Sequence, residues 1–218
     1  MLRRWSNHPS AALLLVQLAG VVLYPLLETA SRGRWAFNVF GIAVLGIALW
    51  VVRRSPWLTW VGLLLAMPIV ILSILQVTAP DANLALITAV LESVFYFYAT
   101  GSLIAYMLQD DVATTDELFA VAATFTLLAW GFADAYLVCQ ELIPHSFSAA
   151  SNSLAPRTWM ELLFLSFTTL SGVGLGDILP VTPMARALVM LEQLAGVMYI
   201  ALVVSRLIGL MTVAARRQ

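Results

Sequence analysis

Thr168-Thr169-Leu170-Ser171-Gly172-Val173-Gly174-Leu175-Gly176-Asp177 is the stretch that decides the reading of this chain. Glycine recurs at every second position from Gly172 to Gly176. Glycine adopts positive φ without steric penalty, so alternating glycines let successive carbonyls point the same way. A dehydrated cation needs rings of such carbonyl oxygens in place of its water. One short strand cannot encircle an axis, so the pattern implies four copies of the chain.

The segment just upstream sharpens this. Thr158 and Glu161 have capping-box spacing, which starts a helix at Trp159. A helix from Trp159 to Leu170 is roughly 18 Å long at 1.5 Å per residue. A bilayer core is about 30 Å thick, so that helix enters and returns rather than crosses. Non-helical backbone at membrane depth survives only where protein buries it or where it lines water. The stretch therefore predicts a pore. The C-terminal end of the short helix, aimed at that pore, adds negative potential favourable to a cation.

Working outward, six apolar runs are long enough to span. They run from about Ala11 to Leu27, Trp35 to Val52, Trp57 to Val77 with a kink expected at Pro68, and Asn83 to Leu108. The fifth starts at Thr115 behind a Thr114/Glu117 capping box and ends near Leu142 to Pro144. The last runs from Pro183 to about Val213, with Thr182 as N-cap. The chain divides into residues 1–108, a four-helix transmembrane domain; 109–117, an acidic cytoplasmic linker; and 118–214, a pore domain.

Composition agrees. Of 218 residues, 61% are hydrophobic and only 11% charged, against roughly 25% charged in soluble domains. Net charge is -1, which gives nucleic acid no electrostatic foothold. All 11 basic residues are arginine. With the N-terminus inside, Arg3, Arg4, Arg53, Arg54, Arg216 and Arg217 are cytoplasmic, and Arg32, Arg34, Arg157 and Arg186 lie outside. Trp5, Trp35, Trp50, Trp57 and Trp60 stand near span ends, as interfacial anchors do. Cys139 is the single cysteine, so no intrachain disulfide exists.

The stretch Ser166 to Pro180 resembles the pore signature of potassium channels, where the filter reads Thr-Val-Gly-Tyr-Gly followed by Asp. The likeness continues ungapped through Val181-Thr182-Pro183 and Arg186, and puts Gly196 where that family carries a hinge glycine. It covers about Leu118 to Leu210. It implies a homotetramer with K+ held by the carbonyls of Gly172, Val173, Gly174, Leu175 and Gly176. Thr168, Thr169, Ser171, Asp177, Arg186 and Glu192 would support the filter. Gly196, Ile200, Val204 and Ile208 would form hinge and gate, with Val197 also facing the cavity. Three positions depart from the pattern. Leu175 replaces Tyr, as in two-pore-domain relatives. Gly172 replaces a Thr whose hydroxyl lines the innermost ion site, which predicts a weaker inner site. Phe164 replaces a Trp that bonds the filter Asp, leaving Arg186 as the candidate partner of Asp177.

Ionisable groups at membrane depth are costly and mark function or a satisfied packing contact. Glu192 would reach Thr168 or Ser171 behind the filter. Asp134 would hydrogen-bond the pore helix, and Glu92 would join two helices or sense a proton or ligand. Asp110, Asp111, Asp116 and Glu117 make an acidic helix start that four copies could turn towards a divalent cation, with Arg206 as a pairing partner. The fourth span has no arginine, so ordinary voltage sensing is not expected. No gating ring is expected after the last span.

The expectation is an all-α membrane protein with six transmembrane helices, a re-entrant pore helix and a filter. It assembles as a homotetramer in the cell membrane, multi-pass, with both termini cytoplasmic, in a bacterial inner membrane. Its partners are membrane lipid and its own copies, not nucleic acid. It needs no cofactor beyond a permeant monovalent cation. The main reading is a potassium-preferring channel; the others are a poorly selective cation channel and a non-conducting structural homologue. No metal-ligand cluster or nucleophile with a base argues for an enzyme, since His8 and His145 are isolated. No inverted repeat argues for a transporter.

Overall fold

A computed structural model describes residues 8–28, 33–52, 59–79, 81–109, 114–150, 152 and 155–216. Arg3, Arg4, Trp5, Arg32, Arg53, Arg54, Trp57, Asp110, Asp111 and Arg217 lie outside the described residues, as do the side chains of Arg34, Trp35 and Arg216.

The helices follow the apolar runs. They are α1 (Pro9–Glu28), α2 (Gly33–Val52), α3 (Thr59–Thr78), α4 (Ala82–Met107), α5 (Thr115–Leu142), α6 (Trp159–Leu170), α7 (Pro183–Met198) and α8 (Ser205–Arg216). Among the described residues four helical stretches are long and apolar enough to cross a membrane: Thr59–Gln76, Ala82–Met107, Thr115–Leu142 and Pro183–Leu210. The apolar stretches Pro9–Pro25 and Phe40–Val51 are shorter.

The starts are set by side chains. Thr114 accepts from Glu117 N while Glu117 accepts from Thr114 N, and Thr158 and Glu161 do the same at α6. Asp81 caps α4, and Thr182 caps α7 with Pro183 in its first turn. Each such cap contributes about 1 kcal/mol.

Helix α5 is the centre. It packs against α4, α1, α6 and α7, and its Leu127, Trp130, Ala133 and Tyr136 are buried with Phe95, Tyr96 and Leu103 of α4. Lipid is as apolar as leucine, so packing and interhelical hydrogen bonds hold such helices together. Ser93 Oγ donates to Gly131 O at 2.9 Å, joining α4 to α5. Gln17 Nε2 donates to Ala123 O at 3.3 Å, joining α1 to α5. Ser10, at the start of α1, donates its N–H (3.1 Å) and its hydroxyl (3.0 Å) to the carboxylate of Asp116. An acid from α5 thus caps α1, where the helix dipole favours negative charge.

Two features depart from the expected all-α outline. Phe147–Ala149 (β1) pairs antiparallel with Ile178–Pro180 (β2), Ser148 opposite Leu179. The segment after α5 is therefore tied to the segment that follows the glycine strand. The last helix is also not continuous α: Tyr199–Val204 is a π-helix between α7 and α8. Such insertions shift the helix face downstream and concentrate at functional sites.

Candidate functional site, a short capped helix and its glycine strand

Helix α6 has 12 residues and lies between α5 and α7. Its buried side chains, Leu162, Leu163, Leu165, Ser166, Thr169 and Leu170, recur at helical spacing and turn towards its neighbours. Trp159 Nε1 donates to Asp134 Oδ1 of α5 at 2.7 Å, which fixes the N-terminal end. The expected bond from Asp134 to the short helix is present. Arg157 is buried in front of α6; it pairs with Glu161 at 3.3 Å, and Gln140 holds its backbone N–H and carbonyl.

At the C-terminal end the chain folds back on the helix. Ser171 N donates to Phe167 O (3.1 Å), Gly172 N to Thr169 O (3.0 Å) and Gly174 N to Thr168 O (2.9 Å). Ser171 Oγ adds a bond to Thr168 O at 3.3 Å. Thr168 and Thr169 thus hold the strand through their carbonyls, and the Thr168 hydroxyl donates to Leu165 O at 3.0 Å. Gly172 has φ +74 and Gly174 φ +62. Gly176 is not in the positive-φ region, so two of the three expected glycines take that conformation. At Gly176 the ring of Phe164 lies close instead, 3.4 Å from where a Cβ would stand.

Residues 171–177 are all exposed in the single chain. Val173 and Leu175 are 67% and 72% exposed, an apolar strand that one chain leaves uncovered. The far end is anchored by β2, by Val181 N to Ser146 O (2.8 Å) and by the Ser146 and Thr182 hydroxyls at 3.0 Å. Asp177 and Arg186 do not pair: Arg186 Nε donates to Pro180 O at 3.3 Å. The strand between them turns through β2, and the guanidinium caps that turn.

Glu192 of α7 is fully buried behind α6. Ser166 Oγ donates to one carboxylate oxygen and Tyr136 O–H to the other. The expected partners, Thr168 and Ser171, are not the ones used. Ser166, Thr169 and Leu170 share the face of α6 that is buried, whereas Thr168 is half-buried and Ser171 exposed. Glu192 thereby ties α5, α6 and α7 together at one point.

Gly196 follows one turn later. A Cβ built there would stand 2.0 Å from Leu170 O, the end of α6. Glycine at this place permits the backbones of α6 and α7 to touch. The π segment begins three residues beyond, and Tyr199 O–H donates to Val121 O at 2.6 Å. Val197, Ile200 and Ile208 are exposed in the single chain. Val204 departs from them: it packs on Met107, Ala120, Tyr199 and Val203. The π segment adds a residue to the turn, so the i, i+4 relation from Ile200 to Val204 no longer keeps one face.

Of the linker acids, the two described ones are likewise committed. Asp116 binds Ser10 and Glu117 caps α5. Arg206 donates to Leu108 O at 3.4 Å, which places it beside the end of α4. Among the described residues no group of three or more His, Cys, Asp or Glu is arranged to hold a metal. Sequence reasoning missed Tyr136, Ser166 and Ser10 as partners of buried acids. None of them lies at a local motif spacing from its partner.

Long apolar helices packed around a short helix that stops within the bundle, followed by an exposed glycine-rich stretch, are the outline of a membrane protein. The family model described as ion channel matches residues 90–213, more than half the chain. The chain belongs to this ion-channel family. A 74-residue segment, 34% of the chain, is 32% identical to the inward rectifier potassium channel Kirbac3.1 of Paramagnetospirillum magnetotacticum. That match spans 22% of the relative's length. No solved structure gives a significant match.

Proposed function

We propose that the chain forms a tetrameric, potassium-conducting channel with six spans per subunit and a filter made by the carbonyls of Gly172, Val173, Gly174, Leu175 and Gly176. The observation that carries the reading is the positive φ of Gly172 and Gly174 in an exposed strand hung from the end of a short capped helix. Four such strands about an axis would cover Val173 and Leu175 and present carbonyl rings to a dehydrated ion. The likeness to an inward rectifier potassium channel supports potassium as the ion. The N- and C-terminal ends lie inside, in a cell membrane of bacterial type. Ile200 and Ile208, with Val197, line the cavity below the filter, and the π segment that follows α7 after Gly196 is where the last helix would flex.

Gly172 favours a second reading, a poorly selective cation channel. Its position carries no hydroxyl for the inner ion site, and its φ of +74 disfavours any side chain that would supply one. Purified protein in liposomes under a mixed K+ and Na+ gradient separates the readings. A reversal potential near the K+ equilibrium value supports the first, and one near zero supports the second. No flux of either ion sinks both and leaves the non-conducting homologue.

A further inference from the structure

Away from the glycine strand, a cavity of about 230 Å³ opens among α2, α3, α4, α5 and the start of α6. Its walls carry two acids, Glu92 and Asp134, and four aromatic rings, Phe40, Tyr96, Trp130 and Trp159. The rings meet about Trp130, with Tyr96 at 5.8 Å, Trp159 at 5.3 Å and Phe40 at 6.4 Å between centroids. Among the described lining residues there is no arginine.

Asp134 is 2% exposed and spends only one oxygen on Trp159. Its Oδ2 is buried with no hydrogen-bond partner among the described residues, and so is Nε1 of Trp130. A buried polar atom left unmade costs about 1–3 kcal/mol. Two of them in the wall of one cavity mark a place that a ligand completes. Acids select a cation, and aromatic faces select one with weak hydration, which is the chemistry of ammonium recognition. An inorganic divalent ion would want more oxygen ligands than two carboxylates provide. The cavity lies below the usual range of about 300–1,000 Å³ for drug-sized ligands.

We propose that this cavity binds a small ammonium cation, with Asp134 Oδ2 and Glu92 as its counter-charges and the rings of Tyr96, Trp130 and Trp159 as its walls. A hydroxyl or ester oxygen beside the ammonium would accept from Trp130 Nε1. That chemistry belongs both to free amines and to the ethanolamine headgroup of a lipid. Because Asp134 also holds Trp159, the occupant sits against the first residue of α6. The inference concerns binding alone and stands whether or not the channel prefers potassium.

The test is a titration of the purified full chain in detergent with tetramethylammonium and ethanolammonium, following tryptophan emission against sodium chloride of equal ionic strength. A saturable change is expected in the native chain. Half-saturation should move at least tenfold in Asp134→Asn, which keeps an oxygen for Trp159, and in Glu92→Gln, which leaves that bond untouched. Native elution and thermal unfolding confirm that both variants fold, and Glu92→Gln alone decides if Asp134→Asn does not. No saturable change, or equal half-saturation in native and folded variant chains, overturns the proposal. Repeating the titration in phosphatidylglycerol vesicles with and without phosphatidylethanolamine names the source. Competition by the ethanolamine lipid assigns the headgroup, and its absence assigns a free amine.

Discussion

The α-carbon of Gly196 on α7 rests against the carbonyl of Leu170, so closely that a methyl group there would stand 2.0 Å from the oxygen. That carbonyl closes α6 just before the glycine strand begins. The contact therefore couples the last helix to the strand's point of departure. Gly196→Ala should force the two helices apart. Overpacking of this kind costs about 1–3 kcal/mol. We expect the thermal midpoint of the purified channel to fall and ion flux in liposomes to drop with it. A variant with native midpoint and native flux would show that the contact is not needed. A hinge without close contact would instead tolerate alanine and resist only bulkier residues.

Glu192 predicts a coupling rather than a simple loss. Ser166 and Tyr136 each donate to it, so removing one donor leaves the acid partly unsatisfied at full burial. Interhelical hydrogen bonds in membranes average about 0.6 kcal/mol and reach about 1.7. Ser166→Ala and Glu192→Gln should each destabilise the chain within that range, and the double variant should cost less than their sum. Strict additivity in unfolding experiments would mean that the two do not interact. If the carboxylate also fixes the strand through α6, flux should change in Glu192→Gln at unchanged protein level.

The way these contacts arise explains what the sequence could and could not announce. Helix starts were legible because a cap is written within four residues, as with Thr158 and Glu161. Apolar helices were legible because hydropathy is a local sum, though four rather than six of the described ones are long enough to cross, and the Asp134 bond to the short helix followed from an acid that had to be satisfied somewhere. The partners of Glu192 were not, because which face of α6 meets α7 depends on how the two helices cross. The displacement of Val204 followed from a π segment that no residue pattern marks. The β1–β2 ribbon has three residues a side, too short for alternation to show. Gly176 was expected to share the conformation of its neighbours on spacing alone, and backbone geometry is set by what the strand hangs from.

Asp116 carries the clearest case of a contact distant in sequence. It lies 106 residues from Ser10, yet its carboxylate takes both the amide and the hydroxyl there. Asp116→Asn keeps one acceptor but loses the charge that suits a helix N-terminus, an effect of about 0.3–1 kcal/mol, larger when partly buried. We expect faster hydrogen exchange or proteolysis at the start of α1, with the α6 region unchanged. Ser10→Ala should give the same local signature. Loss of structure at α6 in either variant would contradict a role confined to seating α1.

The glycine strand yields the sharpest contrast. Gly174 has φ +62, and Gly176, two residues on, does not enter the positive-φ region. An L-residue in the left-handed region costs roughly 1–2 kcal/mol, a penalty repeated in every subunit of an assembly. Gly174→Ala should therefore weaken the strand and its bond from Gly174 N to Thr168 O, with flux falling by at least tenfold. At Gly176 the nearest atom to an added methyl is the Phe164 ring at 3.4 Å, an ordinary contact. Gly176→Ala should retain more flux than Gly174→Ala in paired liposome measurements at matched protein density. If the order is reversed, the conducting strand has a different backbone from the one seen in the single chain, and Gly176 rather than Gly174 is the residue whose conformation only glycine can supply.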